Sequence, residues 1–184
     1  MAVTSTMISL GTPAPNFSLP DVTSGETISL SDLTSDGLLV MFICNHCPYV
    51  RHLQQGLVDL GRDYEDRPLD IVGVASNDPS MYPEDAPDRL AETAQRLGYR
   101  FPVLFDETQD VARAYSAVCT PDFFLFDRDH LLVYRGQFDS SRPANDQPVT
   151  GADLRSAIDS LLEGQPIDAE QRPSMGCSIK WREG

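Results

Sequence analysis

Leu38-Leu39-Val40-Met41-Phe42-Ile43 runs directly into Cys44-Asn45-His46-Cys47-Pro48-Tyr49-Val50, and this junction constrains the chain more than any other stretch. The apolar run is too short for a buried helix and rich in strand formers. Beyond it Val50, Leu53, Leu57 and Leu60 recur at helical spacing, with Gly61 as the expected stop. The two cysteines therefore fall where a strand ends and a helix begins. A helix N-terminus carries about +0.5 of an elementary charge and unpaired N–H groups, so it favours a thiolate. Thiolates, not thiols, are the nucleophiles of sulfur chemistry. A Cys-x-x-Cys in this setting reads as a redox pair.

Composition narrows the alternatives. A chain of 184 residues fits one domain, 1–184, and can bury a core without staples. Its 41% hydrophobic and 23% charged content is ordinary for a soluble globular protein. A formal net charge of −14 argues against nucleic acid or an anionic membrane surface as partner. Met1 to Met7 carries no basic n-region and no long apolar segment, so no secretory signal is expected. No apolar run approaches the roughly 18–20 residues of a spanning helix. Four cysteines are too few for a disulfide scaffold, and the expectation is a cytoplasmic protein whose thiols serve reactivity or packing.

Around the junction the pattern is α/β. Phe17 to Asp21 and Thr27 to Leu30, separated by Gly25, read as an N-terminal hairpin, and Ser31-Asp32-Leu33 as the start of a helical turn. Leu69 to Ala75 reads as a second buried strand, parallel to the first through the helix between them. A polar loop over 76–85 precedes a helix begun by Pro87 and ended by Gly98. Its carboxylates Asp78, Glu84 and Asp85 read as charged surface that at most borders the site. Phe101 to Phe105 is an expected edge strand, and Val111, Ala112 and Tyr115 a short helix. Residues 123–126 and 131–134 are strands flanking a polar turn in which His130 is expected to be solvated. Thr150 and Asp153 have capping-box spacing before a helix closed by Gly164, and 165–184 reads as an irregular tail packed on the body. Ligand sites in such sheets lie at strand carboxyl ends, where Cys44 and Cys47 fall.

Several segments carry a resemblance to a known family. Gly11-x-x-Ala14-Pro15-x-Phe17-x-Leu19, Phe101 to Asp106, Val111-Ala112-x-Ala114-Tyr115 and Cys119-Thr120-Pro121-Asp122-Phe123-Phe124 resemble the thioredoxin-fold redoxins of AhpC/TSA type, a group that includes peroxiredoxins. The Cys-Asn-His-Cys-Pro-Tyr-Val motif and the Gly176-Cys177-x-Ile179-Lys180-Trp181 tail resemble a peroxiredoxin-like subgroup. The resemblance covers nearly the whole chain. It implies a thioredoxin-like fold: a mixed central sheet flanked by helices, with an extra N-terminal β-hairpin and a C-terminal tail.

It also implies roles. In thioredoxin-like exchange proteins the first cysteine attacks and the second resolves, making Cys44 the nucleophile and Cys47 its partner. Thr120-Pro121 would be the Thr–cis-Pro loop opposite them, its preceding backbone free to pair with a substrate strand. A peroxiredoxin alignment instead makes Cys47, followed by Pro48, the peroxidatic cysteine. It then finds Val40, Cys44 and Pro121 where that family has Pro, Thr and Arg, and these departures favour thiol–disulfide exchange over peroxide reduction. His46 would favour the thiolate by hydrogen bonding. Cys119 and Cys177 are additional redox candidates, each weighed against the role of a packed thiol. Metal binding at Cys44, His46, Cys47 and His52 is a minor alternative for Zn or Cu. No metal or other cofactor is expected. Partners would be thiol or disulfide proteins or peroxide, with a thioredoxin-type reductant, and redoxins commonly dimerise.

Overall fold

The computed structural model of the protein describes residues 2–182. Its strands are β1 (Ala2–Thr4), β2 (Ser18–Pro20), β3 (Thr27–Ser29), β4 (Gly37–Phe42), β5 (Leu69–Ala75), β6 (Val103–Phe105), β7 (Cys119–Thr120), β8 (Asp122–Asp127), β9 (Leu132–Gly136) and β10 (Met175–Ser178). Its helices are α1 (Pro48–Asp63), α2 (Pro87–Leu97), α3 (Asp110–Ala114) and α4 (Ala152–Leu162).

Every residue of β4 is buried, because successive side chains point to opposite faces and both faces are covered. Leu39 and Met41 meet one apolar cluster with Val50, Leu53 and Leu57 of α1 and Leu154 and Ile158 of α4. Leu38, Val40 and Phe42 meet a second, built with Phe17 and Leu19 and with Val111, Ala112 and Tyr115. The central sheet runs β6-β5-β4-β8-β9, with β4, β5 and β6 parallel and β8 and β9 antiparallel. The expected hairpin forms between β2 and β3. Among the described residues no helix is long and apolar enough to cross a membrane.

Four local expectations need correction. Gly61 does not stop α1, which continues to Asp63; a Cβ there would lie 3.1 Å from the Phe101 ring, so this glycine permits close packing. The Thr150–Asp153 capping box does not form. Gly151, with φ 67°, caps α4; the N–H groups of Thr150 and Gly151 donate to Asp139, and Asp153 accepts from Gln137 instead. His130 is not simply solvated, since its ring meets the Leu33 carbonyl at 3.0 Å.

The fourth correction matters most. The segment 165–184 is not an irregular tail throughout, for β10 is the central strand of a second sheet, β1-β10-β7. In β10 Cys177 pairs with Thr120 and Ser178 with Cys119, while Val3 pairs with Gly176 on the other side. Neighbouring hydrogen bonds hold it: Ser174 Oγ donates to Gly136 O at 2.8 Å and Ile179 N to Val118 O at 3.0 Å. The glycine at 176 is required, because a Cβ there would sit 1.9 Å from the Thr120 carbonyl oxygen. No backbone at Thr120 is left free for another strand on that side.

Candidate active site

Cys44 lies one residue, Ile43, beyond the end of β4, and Cys47 is the N-cap of α1, with Pro48 at the first helical position, where its missing N–H costs nothing. Opposite them lies the Thr120–Pro121 bond, which is cis. Cys44 Sγ is 3.2 Å from Thr120 Oγ1, and Cys47 Sγ is 3.1 Å from the Thr120 carbonyl oxygen. Neither sulfur meets open solvent, with Cys44 3% and Cys47 0% exposed. Cys44 borders a small cavity shared with Leu90, Tyr99 and Val103.

The pair is electrostatically unequal. Hydrogen bonding from the Cys44 thiol is the largest influence on Cys47 and favours its thiolate. Burial opposes that, while the Cys177 thiol and backbone N–H and the Val50 N–H in the first turn of α1 reinforce it. Together they bring Cys47 down to about 4 from a thiol's ordinary 9.0. The Thr120 carbonyl disfavours an anion so close and accepts the S–H when Cys47 is protonated, but the donors outnumber it. Cys44 moves the other way: burial, its hydrogen bond to Cys47 and the nearby Asp85 charge push its thiol well above 9.0. In the reduced pair the anion is thus favoured on Cys47 over Cys44.

The loop between the cysteines is shaped by a residue that sequence reasoning left on the surface. Asp85 is 0% exposed. Its Oδ1 accepts the Asn45 and His46 N–H groups at 2.7 and 3.1 Å, and its Oδ2 meets His46 Nδ1 at 2.5 Å and Asn77 Nδ2 at 2.9 Å. Burial opposes its charge, yet the bonds from His46 and its neighbours hold the carboxyl below its usual range. His46 also stacks on Tyr82, with ring centroids 3.9 Å apart, so it is neither a solvated first-turn residue nor aimed at Cys47 by its Nδ1. Asn45 Nδ2 reaches the Glu84 and Arg89 carbonyls and locks the loop to the start of α2. The only sequence signal for Asp85 was its position beyond the carboxyl end of β5, beside that of β4.

Ligand atoms of Cys44, His46 and Asp85 lie within 4.8 Å of one another. They do not make an open metal site, because Asp85 is saturated by donors and His46 Nδ1 is spent on it. His52, the fourth member of the expected set, turns away to Ser141 at 2.7 Å. Cys119 is fully buried, donates to the Pro121 carbonyl at 3.7 Å, and is pushed far up by burial and by Asp122. Cys177 is half-buried beside Cys47, and burial and the Cys47 sulfur raise its thiol to about 11. Of the two additional candidates, it is Cys177 that meets the pair.

Three comparisons bear on this arrangement. The chain is 27% identical over 123 residues to the thiol-disulfide oxidoreductase ResA of Halalkalibacterium halodurans; the match covers 67% of this chain and spans 65% of that protein's length. A crystal structure of an uncharacterized conserved protein from Geobacillus kaustophilus superposes with a TM-score of 0.98 at 52% identity, covering 100% of this chain and 98% of that one. The thioredoxin domain of a thiol-disulfide oxidoreductase from Bacteroides vulgatus superposes with a TM-score of 0.65 at 20% identity, covering 85% of this chain and 99% of that one, a likeness of fold alone. The fold is thioredoxin-like, and residues 10–135 match the AhpC/TSA family model. The chain belongs to the AhpC/TSA family.

Proposed function

We propose that the protein is a thiol–disulfide oxidoreductase whose redox pair is Cys44 and Cys47. The observation that carries this reading is the paired thiols at the start of α1, one favoured as thiolate by the thiol of the other. The Cys47 thiolate attacks one sulfur of a disulfide, forms a mixed disulfide and expels the other sulfur as a thiolate. The Cys44 thiol then loses its proton and attacks Cys47 Sγ, closing Cys44–Cys47 and releasing the second thiolate. Two electrons pass from the pair to the former disulfide; the Cys44 thiol gives up the one proton the pair holds, and the released thiolates take up any further proton from water. Asp85, through His46 and Asn45, is a positioning residue that fixes the loop carrying both sulfurs. Substrates are thiol and disulfide compounds, with a thioredoxin-type dithiol as reductant.

A second reading, peroxide reduction at Cys47, is favoured by the same lowered thiolate followed by Pro48. Against it, the buried Arg135 is committed to Asp122 at 2.8 Å and stacks 3.6 Å over Phe124, and Pro121 stands where that chemistry would want a cation. The test equilibrates purified protein in graded glutathione redox buffers, maps the disulfides, and measures peroxide consumption in competition with a dedicated thiol peroxidase. Exchange predicts a reversible Cys44–Cys47 bond and slow peroxide turnover. Peroxide consumption matching the dedicated enzyme would overturn it in favour of the second reading.

A further inference from the structure

The thioredoxin-type pair usually meets its partner directly, but here the route is covered. Cys44 and Cys47 are buried, and the strand edge at Thr120 is occupied by β10 of the same chain. That strand is built to lie there: Gly176 has no room for a Cβ against Thr120, and Cys177 stands opposite Thr120, whose carbonyl contacts Cys47 Sγ. Cys177 therefore lies beside Cys47, and it packs against the apolar cluster that holds Cys44 and Cys47. Of the four thiols it alone is not fully buried.

We propose that Cys177 is a third redox cysteine, the surface sulfur of a relay Cys44–Cys47–Cys177 through which a dithiol partner exchanges electrons with the buried pair. The proposal rests on the exchange reading above. Starting from the Cys44–Cys47 disulfide, the Cys177 thiol loses its proton and its sulfur attacks Cys47 Sγ. The Cys44–Cys47 bond breaks, Cys47–Cys177 forms, and Cys44 takes up the proton; no net electrons move. A partner thiolate then attacks the more accessible Cys177 Sγ, and Cys47 leaves as a thiolate. The donors around Cys47 make it the better leaving group of the two, which directs attack to Cys177. The partner's second thiol attacks its own sulfur in the mixed disulfide, yielding the partner's disulfide and a reprotonated Cys177. The sum is two electrons and one proton passed from a dithiol to the pair, the partner's other proton having gone to solvent when its thiolate formed, and Cys47 remains a thiolate. In the oxidised state the Cys47 anion that raises the Cys177 thiol is gone, so the first attack is easier than the reduced protein suggests.

The experiment uses the full chain, oxidised with glutathione disulfide and reduced with dithiothreitol as the dithiol. Peptide mapping of oxidised Cys44→Ser should find Cys47 joined to Cys177. Reduction of the Cys44–Cys47 bond in Cys177→Ser and in Cys177→Ala should be slower than in the unmodified protein by about tenfold or more, the loss of an intramolecular nucleophile. Circular dichroism establishes that both variants are folded, and agreement between them excludes an effect of the hydroxyl. If the Cys44–Cys47 bond forms but both variants are reduced at the unmodified rate, the relay is wrong and the exchange reading stands. If that bond never forms in the unmodified protein, the exchange reading fails and takes the relay with it.

Discussion

Cys47 carries the largest consequence of any single residue. Its folded-state pKa lies near 4, below its ordinary 9.0, so its ionisation contributes stability that is fully present above about 9 and is lost as pH falls through about 4. Thiolate absorbance at 240 nm should therefore show one step near pH 4 that is absent from Cys47→Ser. In Cys44→Ala the step should move up toward the ordinary thiol range, because the principal donor is gone; an unmoved step would remove Cys44 as its cause. The sequence made both cysteines visible, together with the helix start that favours a thiolate, since spacing and strand-to-helix position are local properties. Which cysteine holds the anion was not legible. That depends on Cys177 and Thr120, distant in sequence, and on how completely each sulfur is buried. Asp85 was read as surface for a related reason: a carboxylate in a polar loop looks the same whether it faces water or accepts the N–H groups of a loop 40 positions away.

At the scale of elements, β4, α1, β5, α2 and the β8–β9 hairpin were all readable from periodicity and turn residues, because each has a long apolar face. β1 and β10 were not. Ala2–Thr4 and Met175–Ser178 are short, half-exposed and poor in strand formers, and they are strands because of what they pair with. Gly176 is where that dependence is sharpest. Gly176→Ala should force β10 away from Thr120 at a cost of about 1–3 kcal/mol, the usual range for overpacking. Hydrogen exchange at residues 175–179 should accelerate, and Cys47 should become more reactive toward iodoacetamide. Unchanged protection in that segment would mean that β10 is held by its flanks alone. Those flanks are considerable: Lys180 N donates to Asn77 Oδ1, Asn77 donates to Asp85, and Arg113 stacks 4.4 Å over Trp181.

Across the whole molecule, one buried cation ties distant segments together. Arg135 on β9 bonds Asp122 on β8, the Thr6 carbonyl beyond β1 and the Ser116 carbonyl after α3. Replacing it by alanine leaves Asp122 buried without its partner, so Arg135→Ala should lower the unfolding free energy by about 3–5 kcal/mol in urea denaturation. A loss under about 1 kcal/mol would show that water or a rearranged side chain replaces the guanidinium. The way the molecule is closed also has a consequence in time. Cys177 is synthesised 130 residues after Cys47 (177 minus 47). At about 5–20 residues per second, that gap lasts roughly 7–26 s. For that interval on the ribosome the paired thiols exist without the strand that will cover them, and the growing chain must pass through a stage in which its redox chemistry is open to any oxidant or partner that meets it.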